Sequence, residues 1–261
     1  QNHLTQLLSL VAMEPPAAME ADAIRDEKVK VLNAVEQPDP AADLVLGQYE
    51  AGQVDGEPVP AYRDEPDVPD DSTTETFAAL RLRIHNWRWQ GVPFYLRTGK
   101  RLPAKLTQVR VRFKSAPVSL FQPSGTPSVP AADTGATPNE LLITLQPNEG
   151  FDLQFEVKAP GTDRNGEMAL ETQHLSFSYD EAFGPMPDAY ETLLRDIITG
   201  DQTLFVRGDE VEMSWSLYDA LLHADQPVRP YEAGTWGPDA ADQLIPNEPP
   251  APRMAEAPVR S

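Results

Sequence analysis

The 261-residue chain contains no cysteine. That absence excludes a disulfide scaffold, a thiolate metal site and a cysteine nucleophile. It has no apolar run near the roughly 20 residues that cross a bilayer, and no segment built like a signal peptide. A cytoplasmic location is the expectation. Positive charge is also scarce: 41 acidic residues face 21 basic ones, for a formal charge of −20. Nucleic acid and anionic membrane surfaces attract positive proteins, so neither is an expected partner. The same excess of carboxylates suits high solubility.

One absence is local. Between Glu75 and Asp133 there is no aspartate or glutamate, yet ten of the 21 basic residues lie between Arg81 and Lys114. Clustered cations in an otherwise repulsive field make an attractive patch for an anion. Within it, Arg97-Thr98-Gly99-Lys100 sets two cationic heads beside a glycine that would let backbone approach a ligand. Arg81, Arg83, Arg110 and Arg112 alternate with apolar residues and read as the outer face of a sheet. Arg97, Lys100, Arg101 and Lys105 read as a turn-like segment, suited either to a phosphate or to an ordinary basic turn.

Other motifs are missing. No G-x-G-x-x-G, phosphate-binding G-x-x-x-x-G-K-[ST] or G-x-S-x-G occurs. His85, His174 and His223 are scattered, with no metal-ligand spacing around them. Trp87, Trp89, Phe94 and Tyr95 read as core or interface aromatics rather than a cofactor platform. His3 has a side chain suited to a general base, although one histidine near a terminus carries little weight by itself.

What is present is a run of helices, then strands, then helices. Leu4, Leu7, Leu8 and Val11 predict an amphipathic helix over 1–13, stopped by Pro15-Pro16, and a second helix follows over 21–36. Residues 50–71 read as a solvated loop. Period-two alternation marks strands around Leu80–Ile84, Val109–Phe113, Leu141–Leu145, Phe151–Val157 and Leu175–Tyr179. Residues 115–138 read as a hairpin-like excursion or loop. Asp188 and Glu191 have capping-box spacing ahead of a helix stopped by Gly200, and Asp209 could cap another helix reaching Leu222. The fold class is α+β, a large and mainly antiparallel sheet with helices packed on one face. The expected division is a domain over 1–237 and a proline-rich tail over 238–261.

Several segments together resemble the glucose-6-phosphate dehydrogenase family. They are Gln1-Asn2-His3-Leu4, Leu10 through Pro16, Leu46-Gly47-Gln48-Tyr49 and Thr74 through Leu80. Further segments are Asn86 through Lys100, Gln146-Pro147-Asn148-Glu149, Gly200 through Arg207 and Ala233 through Pro238. They span nearly the whole chain in the family's order. The resemblance implies a C-terminal domain of an enzyme that oxidises glucose 6-phosphate to 6-phosphogluconolactone with NADP, in the pentose phosphate route. His3 would be the general base, and Lys100, Lys105 and Gln146 would contact the substrate. The family's sheet implies a homo-oligomer.

The family's dinucleotide-binding domain and its Arg-Ile-Asp-His-Tyr-Leu-Gly-Lys segment do not occur in this sequence, and the carboxylate expected five residues before the base would precede Gln1. The chain therefore reads as a piece of something longer and is expected to be inactive alone. The rival reading is a stand-alone module that binds sugar phosphate or a subunit without dehydrogenase activity. Some family members hold a second, structural NADP against the sheet. Arg97 and Arg110 match that site, but Leu106 and Thr144 replace basic residues, so it is not expected here.

Overall fold

The computed structural model describes residues 2–115, 137–161, 170–185 and 189–244. The excursion expected over 115–138 and the cap expected at Asp188 fall largely or wholly outside these residues. Two units separate by their internal contacts: residues 1–104 with 192–261, and residues 105–191.

In the first unit both expected N-terminal helices form, α1 over Asn2–Ala12 and α2 over Ala21–Ala34. The face that α1 buries is Thr5, Leu8, Ser9 and Ala12, rotated from the expected Leu4, Leu7, Leu8 and Val11 stripe. Small residues sit there because hydroxyls of α1 bond across to a third helix, α6 over Gly208–Leu222. The Ser214 hydroxyl donates to Thr5 Oγ1 at 3.2 Å, and Thr5 donates to the Tyr218 hydroxyl at 3.1 Å. Asp209 does not cap α6: Arg207 holds the cap position, and Asp209 binds that arginine and the Glu210 N–H instead.

These helices cover one face of a four-stranded sheet. Its strands are β1 (Leu44–Glu50), β4 (Phe77–Arg83), β5 (Pro93–Gly99) and β10 (Val228–Glu232), in the order β10-β1-β4-β5. The β1–β10 pair is parallel and the others antiparallel. Strand β4 shows why the alternation was readable. Leu80 and Leu82, with Ile84 just beyond, pack against Leu8, Val31, Leu217 and Leu221. Phe77 and Ala79 face a second cluster with Tyr49, Val59, Tyr231 and Ala241.

Five strands of this unit, all but β4, were not expected, and two of them form a hairpin within the expected loop over 50–71. Strands β2 (Gly52–Val54) and β3 (Glu57–Val59) pair around Asp55-Gly56, both at positive φ (53° and 82°). That is the two-residue turn whose backbone twist suits a hairpin. A short helix α3 (Pro40–Asp43) precedes β1. Helix α7 (Asp239–Gln243) buries Ala241 in the second cluster. Helix α5 (Ala189–Thr199) ends at Gly200 as expected, with the Asp201 N–H returning to the Asp196 carbonyl.

The second unit is an antiparallel sheet of β6 (Thr107–Arg112), β7 (Glu140–Gln146), β8 (Gly150–Lys158) and β9 (Leu170–Ser178), in that order. A short helix α4 (Tyr179–Phe183) follows it, with Ser178 at its cap. The α+β class holds, and the strands are distributed over these two four-stranded sheets and the β2–β3 hairpin. Register in the second one is unambiguous. Val109, Ile143, Phe151 and Phe177 lie in one cross-strand row, and Val111, Leu141, Leu153 and Leu175 in the next. The alternate rows are polar: Arg112, Glu140, Gln154 and His174 share one. None of the described residues of this unit is buried, and Leu175 is 58% exposed on the apolar face.

Candidate functional site

The carboxylate-free window is where the structure separates one kind of cation from another. Its seven arginines all pair with carboxylates brought from elsewhere in the chain. Arg81 and Arg83 reach the buried Asp43 at 2.7 and 3.5 Å, and Arg88 reaches Glu14 at 2.5 Å. Arg97 pairs with Asp242 at 2.6 Å and Arg101 with Glu65 at 2.9 Å. Arg110 and Arg112 share Glu140 at 3.6 and 3.8 Å. Burial alone would raise the Asp43 carboxyl. The Arg81 guanidinium, the Asp39 N–H and Arg83 outweigh it and hold the group below its usual range. Its stabilising charge is therefore present above the ordinary carboxylate range and is lost as pH falls through its lowered value.

The lysines differ. Among the described residues no carboxylate pairs with Lys100 or Lys105, and both side chains are exposed. Lys100 is held by its backbone instead. Its N–H donates to the Thr76 carbonyl at 2.8 Å, and its own carbonyl accepts the Tyr231 hydroxyl at 2.8 Å. Tyr231 is buried, and that burial raises its phenol above the ordinary value, so the hydroxyl stays a donor. The next residue, Arg101, takes a left-handed φ of 51°. It is fixed by Glu65, by the Tyr49 ring under its guanidinium and by the Gly234 N–H on its carbonyl. The chain is thus turned at Lys100 by main-chain contacts that do not involve its ammonium.

Two details correct the sequence reading. Arg97 and Gly99 lie in strand β5 rather than in a turn. Gly99 is not an opening for a ligand: a Cβ there would stand 2.8 Å from the Phe77 ring and 3.1 Å from Leu102. The glycine admits core aromatic packing at the strand end.

His3 lies exposed in the first turn of α1. Helix α1 is anchored at its other end, where the Trp89 indole donates to the Ala12 carbonyl at 2.8 Å and Trp89 packs edge-on to Phe94. Both candidate elements of this unit lead away from that turn. Nine residues of helix set His3 about 14 Å from Ala12, and seven residues of extended chain carry Lys100 about 23 Å from Pro93. In the second unit Lys105 and Gln146 come to the same end of one strand pair. Gln146 closes β7 opposite Thr107, two residues after Lys105, and is exposed. The structure thus groups Lys105 with Gln146, and places His3 and Lys100 in the other unit.

Sequence reasoning missed Tyr231, which holds the Lys100 carbonyl, and a cluster of Gln6, Lys28 and Glu210 that ties α1 to α2 and α6. Tyr231 lies in β10, a short strand containing a proline, and Gln6, Lys28 and Glu210 are polar residues that periodicity assigns to solvent. Among the described residues there is no glycine-rich turn between a parallel strand and a helix, and no step through a nicotinamide cofactor is assigned to them.

Set beside known proteins, this α+β frame is that of a dehydrogenase's C-terminal domain. Residues 1–250 match the family model described as "Glucose-6-phosphate dehydrogenase, C-terminal domain". The chain belongs to that family. Curated relatives named glucose-6-phosphate 1-dehydrogenase include those of Aggregatibacter actinomycetemcomitans and Dickeya dadantii. Both are 46% identical over 94% of this chain, which covers 48% and 50% of their lengths. A glucose-6-phosphate 1-dehydrogenase crystal structure from Mycobacterium avium superposes with a TM-score of 0.78 at 36% identity, over 97% of this chain and 49% of that one. A glucose-6-phosphate dehydrogenase solved with its substrate glucose 6-phosphate gives 0.80 at 35% identity, over 94% and 48%. The chain therefore spans about half the length of the relatives it matches.

Proposed function

We propose that this chain supplies the C-terminal half of a glucose-6-phosphate dehydrogenase, and within it the general base and part of the substrate site. The enzyme would oxidise C1 of glucose 6-phosphate to the lactone in the cytoplasm, within the pentose phosphate route, with NADP held by residues outside those described. A relative's capture of glucose 6-phosphate supports the choice of substrate. The observation that carries the reading is the division of the basic window: seven arginines are engaged by carboxylates, while Lys100 and Lys105 are left available to an anionic sugar.

In this mechanism the His3 imidazole, in its neutral form, accepts the C1 hydroxyl proton. The Lys100 and Lys105 ammonium groups act as point-charge donors to phosphate or hydroxyl oxygens, and the Gln146 carboxamide adds a neutral hydrogen bond. Arg97 and Arg110, which match a second nucleotide site in some relatives, are engaged by Asp242 and Glu140, so the proposal gives them no ligand.

The half-exposed apolar rows of the second sheet, with a hollow of about 500 Å³ lined by Leu141, Ile143, Phe151 and Tyr179, are the proposed contact between two copies of the enzyme. In the full-length enzyme Lys105→Ala is expected to raise KM for glucose 6-phosphate about tenfold, the scale of one charge-assisted hydrogen bond. Arg112→Ala should leave KM within about twofold, because a loosely paired surface arginine contributes little. Steady-state kinetics would remove Lys105 from the site if both variants behaved alike.

A further inference from the structure

Three helices meet around a charged group that the proposed chemistry does not use. Glu210, in the first turn of α6, is 0% exposed, and Lys28 of α2 is 7% exposed. Their side chains pair at 2.8 Å. Gln6 of α1 joins both: its amide nitrogen donates to Glu210 Oε1 at 2.6 Å, and its amide oxygen accepts from the Lys28 ammonium. The second oxygen of Glu210 is buried with no hydrogen-bond partner among the described residues. The adjoining Thr5 is tied to Ser214 and Tyr218 of the same helix α6.

A buried ion pair with an incompletely satisfied carboxylate is a poor source of stability, because desolvation offsets much of the attraction. It is a strong constraint on register. The apolar contacts of Leu8 and Ala12 tolerate a small slide or rotation of α1, whereas a carboxamide bonded at both ends does not. Gln6 is three residues after His3, so the two are neighbours on the helix surface. His3 itself lies in the opening turn, where backbone N–H groups lack helical acceptors, and that turn carries no acidic residue to complement them. The fixed point nearest to His3 is therefore the Thr5–Gln6 anchor.

We infer that the Gln6–Lys28–Glu210 cluster is a positioning device for the base, with Gln6 as the positioning residue that sets the height and rotation of His3 on α1. The inference rests on the reading of His3 as the base. Its test uses the full-length enzyme. Gln6→Met keeps the side-chain length and removes both hydrogen bonds. It should lower kcat about 10- to 100-fold, the cost of a displacement near 1 Å at the reacting group, with KM for glucose 6-phosphate within about twofold. The triple variant Gln6→Met/Lys28→Met/Glu210→Leu replaces the stranded charges by apolar groups, and should recover Tm while kcat stays low.

Three results would overturn the inference: wild-type kcat in Gln6→Met, kcat that recovers together with Tm in the triple variant, or a Gln6→Met protein that fails to fold. His3→Asn, assayed alongside, separates the two readings. If His3→Asn abolishes turnover and Gln6→Met does not, only the positioning role is lost. If His3→Asn leaves kcat intact, the base assignment itself has failed.

Discussion

His3→Asn in the full-length enzyme is expected to lower kcat about 10²- to 10⁴-fold, the range that a positioned general base contributes. KM for glucose 6-phosphate should move by less than about threefold. Asparagine occupies similar space and still hydrogen-bonds, so substrate binding and helix packing are spared. It cannot accept a proton, so the C1 hydroxyl must lose its proton to water as C1 is oxidised. His3 is exposed and no hydrogen bond of its ring occurs among the described residues, so removing the ring breaks no structural contact there. Steady-state kinetics decide the matter. A fall in kcat/KM carried by kcat means that an interaction made only in the transition state has been removed; one carried equally by KM would take His3 out of the base role.

Lys100→Ala should act on the other term. A charge-assisted hydrogen bond lost from an anionic substrate corresponds to about 1.5 to 3 kcal/mol, or a rise of about 10- to 100-fold in KM for glucose 6-phosphate. KM for NADP should stay within about twofold, because the proposal sets the Lys100 ammonium against the sugar phosphate and not against the nucleotide. The backbone geometry makes the variant clean. Tyr231 and Thr76 hold the main chain of Lys100, and neither contact involves its ammonium. The fold should therefore survive the substitution, with Tm near that of the parent. The opposite pattern, with NADP use impaired and sugar phosphate use intact, would sink the assignment.

Much of the frame was legible because many strands have two unlike faces. In β4, Leu80 and Leu82 meet helices while Arg81 and Arg83 turn to Asp43. In β6 and β8 the apolar rows are complete enough to fix register from the alternation. Strand β10 was not legible: Val228-Arg229-Pro230-Tyr231-Glu232 is short, interrupted by proline and paired in parallel with β1 from far along the chain. The Asp55-Gly56 turn was a readable hairpin signal, masked by the acidic and proline-rich residues around it. Gly99 was misread because a glycine beside cations suggests ligand approach, and nothing local shows that Phe77 fills the space.

The candidate site was legible through motif resemblance far more than through pattern. No periodicity distinguishes Lys100 from Arg101. What separates them is Glu65, Asp242, Glu140 and the other distant carboxylates that claim the arginines, and those pairings exist only in three dimensions. The same holds for Gln6, Lys28 and Glu210. Each reads as a solvated helix position, and each is drawn inward by the others.

The central claim is that residues 1–261 hold the base and part of the sugar-phosphate site, while hydride acceptance depends on residues beyond those described. It is tested most directly by NADPH formation from glucose 6-phosphate, measured for residues 1–261 alone and for the same residues joined to the N-terminal half of a relative. The account predicts no turnover for the first protein and His3-dependent turnover for the second. Turnover by residues 1–261 alone, or turnover by the joined protein that survives His3→Asn, would contradict it.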